Sequence, residues 1–195
     1  MRAERYTEAW NLADLTRGER DPATRDDPTL PYHLRWVWDG TPVDGRDVLV
    51  RCYHGLGDTL QFARFLPRLA DRAASVTLEV QPRLRDLVAT IDPRVSLHPI
   101  DVAAPLPPAE LDLEITELDL VLRATPREAP APYLRATPAL LPRGTIALCY
   151  GAGDWDGERC VPPALFAPLA ERHPCVTLMP EPPPFPALNP EGCPF

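Results

Sequence analysis

The sequence predicts an α/β protein built on a parallel, doubly wound sheet with helices on both faces. From residue 47 onward, short runs rich in β-branched residues alternate with segments whose apolar residues recur at helical spacing. Such alternation is typical of strands joined by helical crossovers, which make neighbouring strands parallel. With 195 residues and 45% apolar content, the chain suffices for one such domain and the start of another.

Strands and helices are expected where these patterns begin and end. Pro67 lies inside the longest predicted helix, 58–73, and removes a backbone hydrogen bond, so a kink is expected there. Three prolines between residues 105 and 108 predict an irregular connection, because proline cannot donate to a strand ladder. The predicted strands are 47–52, 75–80, 94–100, 111–118, 144–150 and 175–179, and the other predicted helices are 3–17, 82–90 and 163–172.

The same patterns divide the chain into four segments. Residues 1–31 hold one helix and a polar connector, and residues 32–140 hold the first four strands. Residues 141–179 hold two strands and one helix, which we expect to begin a second domain. Residues 180–195 are so rich in proline that we expect an extended or disordered tail with no covering strand or helix.

The composition excludes several classes of protein. The net charge is −8, with 20 basic against 28 acidic residues, so nucleic-acid binding through phosphate neutralisation is not expected. All 20 basic residues are arginine, and the absence of lysine excludes a Walker A loop and a Schiff-base lysine. The two serines, Ser75 and Ser96, lie outside any G-x-S-x-G turn, which argues against a serine hydrolase.

Cysteine usage and hydropathy predict a cytoplasmic protein. The five cysteines form no C-x-x-C pair, and the N-terminus has no apolar signal-peptide core. No segment approaches the 18 or so apolar residues of a membrane span, so no transmembrane segment is expected. His173 and Cys175 are the one close pair of potential zinc ligands, and no metal site is predicted from them.

The loop after the first strand is the first candidate site. Ligands of parallel sheets bind beyond the carboxyl ends of the strands, which points to residues 53–58 and 150–159. Gly55 and Gly57 would let a ligand approach the backbone closely. Asp58 and Gln61 also match a capping box, D-x-x-Q, with Asp58 as the helix N-cap. A capping aspartate can also face a ligand, so both interpretations stay open.

A dinucleotide-binding fingerprint is a competing interpretation of this loop. Gly55 and Gly57 fit G-x-G, and Glu79 ends the second strand near the place of a ribose-binding acid. The motif is incomplete, because Leu60 occupies the position of the third small residue. An oxidoreductase is therefore the less favoured reading, and Glu79 could equally be a polar residue at a strand edge.

Three blocks of sequence carry a resemblance to a known family. They are W-D-G at 38–40, GLGDTLQFAR at 55–64 and LEVQP-x-L at 78–84. In these blocks the chain resembles the glycosyltransferase domain found at the end of many bacterial tetratricopeptide-repeat proteins, which is related to the heptosyltransferases. The segment 143–169 resembles the first strand, loop and helix of the second Rossmann-like domain of that family.

The resemblance implies a GT-B fold of the family 9 type, with this chain supplying the Rossmann-like, acceptor-side half. Asp58 corresponds to the aspartate proposed as general base in the heptosyltransferases, where a carboxylate takes the proton of the attacking hydroxyl. The family tends to carry a hydroxyl residue after the loop arginine, where this chain has Cys160. The implied substrate-binding residues are His54, Gly55, Gly57, Thr59, Gln61, Arg64 and Gln81, and those on the nucleotide-sugar side are Gly153, Asp154 and Arg159.

The expected function is therefore transfer of a sugar from a nucleoside diphosphate sugar to an acceptor hydroxyl, with no further cofactor and no metal. Because residues 141–179 encode little of a second domain, we expect a truncated enzyme that is inefficient alone. Such a chain would act as a homodimer or with a missing C-terminal partner. The alternative is a non-catalytic relic or interaction module that keeps the first Rossmann-like half.

Overall fold

The computed structural model describes residues 4–101, 103–129, 131–151, 157–179 and 181–190. Its contacts divide the chain into two compact units, Met1–Ala136 and Thr137–Phe195, and each is described by itself. The N-terminal helix belongs to the same unit as the first four strands. Across the described ranges, no helix combines the length and the apolar character that crossing a bilayer requires.

The first unit is a four-stranded parallel sheet, which confirms the predicted α/β, Rossmann-like fold. Its strands are β1 (Asp47–Arg51), β2 (Ser75–Val80), β3 (Val95–Pro99) and β4 (Leu111–Glu114). They lie in the order β3-β2-β1-β4, so the chain first runs outward from β1 and then returns to its other side. In register, Val50 of β1 stands opposite Leu78 of β2 and Leu113 of β4.

Short helices surround this sheet. Pro67 does more than kink the predicted helix 58–73, since the chain forms two helices with Phe65 between them as the N-cap of the second. The predicted helix 82–90 begins as a 3₁₀ turn at Pro82–Leu84. The helices are α1 (Tyr6–Gly18), α2 (Leu56–Ala63), α3 (Leu66–Ala70), α4 (Arg85–Val88) and α5 (Leu118–Leu122).

The fourth strand is shorter than the predicted 111–118. It ends at Glu114, and Ile115–Glu117 forms a 3₁₀ turn that leads into α5. The reason is a reciprocal capping box: the Glu114 carboxylate accepts the Thr116 N–H, and the Glu117 carboxylate accepts the Glu114 N–H. Apolar periodicity predicts a strand through this turn, because Ile115 within the turn and Leu118 after it are both buried apolar residues.

One face of the sheet carries the apolar core. Alternate residues of the strands, such as Val50, Leu78 and Leu113, pack with Leu66 of α3 and Leu118 of α5. All five are less than 2% exposed. This face therefore supplies the hydrophobic free energy that holds the helices to the sheet.

The opposite face carries a buried ion triad whose members come from three strands. The Arg51 guanidinium donates to Glu79 at 2.8 Å and to the Asp112 carboxylate at 3.0 and 2.6 Å. All three residues are at most 6% exposed. Because Arg51 lies on β1 and its partners lie on β2 and β4, the triad joins three neighbouring strands.

The β3–β4 connection closes over this triad. Leu106 donates its N–H to Glu79 at 2.8 Å, and its carbonyl accepts from Arg51 at 3.2 Å. Ala109 donates its N–H to Asp112 at 2.9 Å. The described residues of the connection form neither helix nor strand, as its prolines predict, so side-chain charges rather than a helix anchor this crossover.

The second unit has two parallel strands, β5 (Ile146–Leu148) and β6 (Cys175–Thr177), and the helix α6 (Ala167–Ala170). The described part of the proline-rich tail forms neither a strand nor a helix, but one of its residues makes an isolated bridge to the sheet. Leu188 pairs beside β6: its N–H donates to Cys175 and its carbonyl accepts from Thr177, both at 2.8 Å. Leu188 lies between prolines and keeps the N–H that they lack, and Phe185 is buried beside it.

We predict that Arg51→Met lowers the free energy of unfolding by about 3–5 kcal/mol, because it leaves two buried carboxylates without a counter-charge. Arg72→Met is the matched control, since Arg72 makes the same two-pronged contact with Asp44 at the surface. An exposed pair contributes about 1 kcal/mol or less. Urea unfolding of both variants measures the difference, and equal losses would contradict a structural role for the buried triad.

Candidate functional site

A cavity lies where the order of the strands reverses. The chain leaves β1 towards β2 and β3 and returns to β4, so the switch point falls between the carboxyl ends of β1 and β4. Open α/β sheets bind ligands at such points. The cavity there has a volume of about 450 Å³, within the usual range for small-molecule sites. Its wall includes His33, Trp36, His54, Glu114, Thr116 and Glu117.

The loop that carries His54 is anchored by hydrogen bonds to the Gln81 side chain. The Gln81 amide donates to the carbonyls of Cys52 at 3.1 Å and His54 at 3.0 Å, and it accepts from the Thr59 hydroxyl at 3.0 Å. Thr59 is fully buried. The structure thus brings Gln81, Thr59 and His54 together, and the first two support the loop with their own polar atoms.

Asp58 does not cap the helix in the way the sequence predicts. Helix α2 begins at Leu56, with Gly55 as its N-cap, which places Asp58 at the third helical position. Its Oδ2 accepts the Gly55 N–H at 3.1 Å. Glycine has no side chain to cap the helix, so the later carboxylate reaches back instead. The D-x-x-Q box is wrong, and Gln61 is exposed on α2.

His54 is paired with a buried carboxylate. Its Nδ1 lies 2.9 Å from Oε1 of Glu114, and its side chain is 30% exposed on the cavity wall. Glu114 is 2% exposed. Its Oε1 also accepts the Tyr53 N–H at 3.2 Å, while Oε2 accepts both the N–H and the hydroxyl of Thr116. His54 Nδ1 is buried and makes no hydrogen bond with Oε1, so the two side chains are paired by charge when the imidazole is protonated.

Glu117 connects this site to the segment that precedes β1. Its carboxylate accepts the Glu114 N–H at 2.8 Å and the Trp38 N–H at 3.0 Å. Burial raises the pKa of the Glu117 carboxyl, although the two backbone donors act in the other direction. The W-D-G block at 38–40 is thus tied to the turn that ends β4.

Residues 26–36 form a cover beside the cavity, whereas the sequence places 26–31 in a polar connector and 32–36 at the start of the segment 32–140. The rings of Tyr32 and Tyr53 lie 4.8 Å apart, and the Arg35 guanidinium lies 4.2 Å from the centre of the Tyr32 ring. The Tyr53 hydroxyl donates to Asp26 at 3.3 Å, and burial raises its pKa above the usual range. The alternation of aromatic residues and arginine in this segment was the available signal.

The remaining implied site residues lie elsewhere or are not described. The Arg64 guanidinium stacks on Tyr133 at 4.8 Å from the ring centre and is not part of the cavity wall. Arg159 is exposed at the end of a 3₁₀ turn in the second unit. Gly153 and Asp154 lie outside the described residues. Among the residues with described positions, no three His, Cys, Asp or Glu side chains are placed to hold a metal ion.

The geometry does not favour the dinucleotide interpretation. Both carboxylate oxygens of Glu79 are engaged, one by Arg51 and one by the Leu106 N–H, so Glu79 is not offered to a ribose. The Asp58 carboxylate also places negative charge at the N-terminus of α2, where a pyrophosphate would bind. Glu79 is also no edge residue, since β2 lies inside the sheet.

The chain matches none of the protein-family models, curated proteins or solved structures with which it was compared.

We predict that Gln81→Leu destabilises the protein by about 1–3 kcal/mol, because two carbonyls and a buried hydroxyl lose their partner. Gln61→Leu is the matched control on the exposed side of α2 and should change stability by less than about 0.5 kcal/mol. Chemical denaturation measures both variants. A Gln81 variant as stable as the Gln61 variant would show that the loop does not depend on the Gln81 amide.

We predict a pH dependence from Glu117. Its raised pKa means that the folded state holds the proton more tightly than the unfolded chain does. The associated stabilisation is fully present below the ordinary pKa of 4.5 and is lost as the pH rises through the raised value. Glu117→Gln cannot ionise, so it should gain stability relative to the native chain between about pH 4 and pH 7. Unfolding free energies across that range test this, and a constant difference would contradict it.

Proposed function

We propose that the first unit binds a hydroxyl-bearing acceptor, such as a saccharide, at the switch-point cavity for transfer of a sugar from a nucleoside diphosphate sugar. One observation carries the proposal: a cavity of ligand size lies between the carboxyl ends of β1 and β4 and presents an imidazole 2.9 Å from a buried carboxylate. The resemblance of residues 38–40, 55–64 and 78–84 to an acceptor-side domain supports the same reading.

The lining of the cavity suits a polyhydroxylated ligand. His33, His54 and Thr116 provide groups that can donate or accept hydrogen bonds, and Trp36 adds an aromatic ring. Arg35 also lines the cavity, but its guanidinium is held by the carbonyls of Pro28 and Leu30. A few placed polar groups around an apolar surface are what fix the orientation of a small ligand.

The chemistry expected of this site is proton removal during glycosyl transfer. The acceptor oxygen attacks the anomeric carbon of the donor, and the bond from that carbon to the diphosphate oxygen breaks. The leaving diphosphate takes the bonding electrons, and a base on the protein takes the hydroxyl proton. The resemblance assigns the role of that base to Asp58. This residue is at the third position of α2, and its carboxylate accepts the Gly55 N–H.

We predict that Trp36→Ala weakens saccharide binding by about ten-fold, because an aromatic wall of the cavity is lost. Trp10→Ala is the matched control, since Trp10 lies on α1 with its ring 6.0 Å from the Arg123 guanidinium and outside this cavity. Calorimetry with a panel of mono- and oligosaccharides gives the affinities, and amide shift mapping shows whether residues 53–55 and 114–117 respond.

A second measurement separates an enzyme from a binding module. Acceptor-dependent release of nucleoside diphosphate from a panel of nucleotide sugars supports sugar transfer. Saccharide binding at the cavity without release from any donor supports the alternative, a non-catalytic module. A panel in which no saccharide shifts the cavity amides would overturn the proposed acceptor site.

A further inference from the structure

We propose that His54, which lies beside the Glu114 carboxylate, is the base that removes the proton from the acceptor hydroxyl, and that Asp58 shapes the loop. The inference rests on the proposed function and names the group at that site that performs the proton transfer. Its starting point is the pairing of a cavity-wall imidazole with a buried carboxylate at 2.9 Å.

The contacts of Glu114 fix its carboxylate beside His54. Oε1 accepts the Tyr53 N–H, and Oε2 accepts two donors from Thr116, so both oxygens act as acceptors. His54 Nδ1 is buried 2.9 Å from Oε1 but makes no hydrogen bond with it, so the pairing is one of charge when the imidazole is protonated. A neutral imidazole with its hydrogen on the buried Nδ1 has a lone pair on Nε2, which is the requirement for a base.

The proton transfer is then complete in atoms and charge. As the acceptor oxygen bonds to the anomeric carbon and the nucleoside diphosphate leaves with its bonding electrons, Nε2 takes the hydroxyl proton. The resulting imidazolium carries its positive charge next to the Glu114 carboxylate, which stabilises it. The proton then passes to solvent, since the His54 side chain is partly exposed.

Asp58 is less suited to this task for two reasons. Its carboxylate accepts the Gly55 N–H at the N-terminus of α2, and a helix N-terminus stabilises the charged form, which weakens it as a base. The cavity wall includes His54 but does not include Asp58. A Cβ at Gly55 would lie 3.3 Å from Asp58 Oδ2, so the carboxylate fits closely against the loop that positions His54.

The first test compares turnover among matched variants of the full chain with a nucleotide sugar and a saccharide acceptor. His54→Asn keeps a donor near the Nδ1 position but has no Nε2, so kcat should fall by about 10²–10⁴-fold while KM changes less than about three-fold. Asp58→Asn keeps an oxygen for the Gly55 N–H and should lower kcat by less than about ten-fold. His98→Asn, on the exposed end of β3, should leave kcat unchanged.

The second test reads the tautomer directly and does not need activity. Nitrogen-15 NMR of the histidine side chains should show neutral His54 with its hydrogen on Nδ1, and Glu114→Gln should shift the population towards Nε2–H. A native His54 with its hydrogen on Nε2 would overturn the proposal. So would a His54→Asn variant with native kcat, or an Asp58→Asn variant that alone loses 10²-fold or more.

These outcomes are distinct from failure of the proposed function. If no saccharide binds the cavity, the acceptor site itself is wrong. If saccharides bind and sugar is transferred but His54→Asn is fully active, the acceptor site stands and the assignment of the base is wrong.

Discussion

The ion triad of Arg51, Glu79 and Asp112 is the constraint on which the rest of the first unit depends. A guanidinium buried on the central strand has no water to solvate it, so it must be matched by charge from both neighbouring strands. A slip of one residue in either strand would turn Glu79 or Asp112 towards the apolar face and leave Arg51 unpaired. The triad therefore specifies the register of β2, β1 and β4 more strictly than apolar residues of similar size could.

The same triad determines how the chain returns from β3 to β4. A prolyl segment cannot form a helix or a ladder, yet Leu106 and Ala109 use their N–H groups on Glu79 and Asp112. The return to β4 creates the reversal of strand order beside β1. The switch point, and with it the cavity at His54, therefore lies next to these buried charges, since Glu114 shares its face of the sheet with Asp112 and Arg51.

The strands were predictable because their sequence signal is local. β2 has the bounds that its β-branched run predicts, and β1 differs by one residue at its end. The shorter β4 was missed because the capping box of Glu114 and Glu117 depends on backbone donors, and apolar periodicity carries no information about them. The isolated bridge from Leu188 to β6 has no local signal either, because a proline-rich composition does not show which remaining N–H will meet a neighbouring strand.

The candidate site was predictable in place but not in its chemistry. The loop 53–58 follows from the first strand and its glycines, whereas the partners of each side chain come from residues distant in sequence. Gln81 is 27 residues from His54, and Glu114 comes from β4. Asp58 illustrates this limit of sequence analysis. The pattern D-x-x-Q is compatible with Asp58 as a helix N-cap, as the third residue of a helix or as a catalytic base. Only the position at which α2 begins distinguishes the N-cap from the third helical position.

The backbone donors of the loop after β1 are not left for a phosphate, although Arg20 and Arg35 also line the cavity. In a nucleotide-binding sheet the N–H groups after β1 are left for the phosphates. In this chain two of these N–H groups donate to carboxylates of the protein itself. The Gly55 N–H donates to Asp58, and the Tyr53 N–H donates to Glu114. An anion placed at this edge would meet both carboxylates at short range and would find these donors already engaged. A hydroxyl group has no such conflict, because it is uncharged and can either donate or accept a hydrogen bond. The contacts that hold the loop therefore favour a hydroxyl over a phosphate at these donors, in agreement with the acceptor site proposed above.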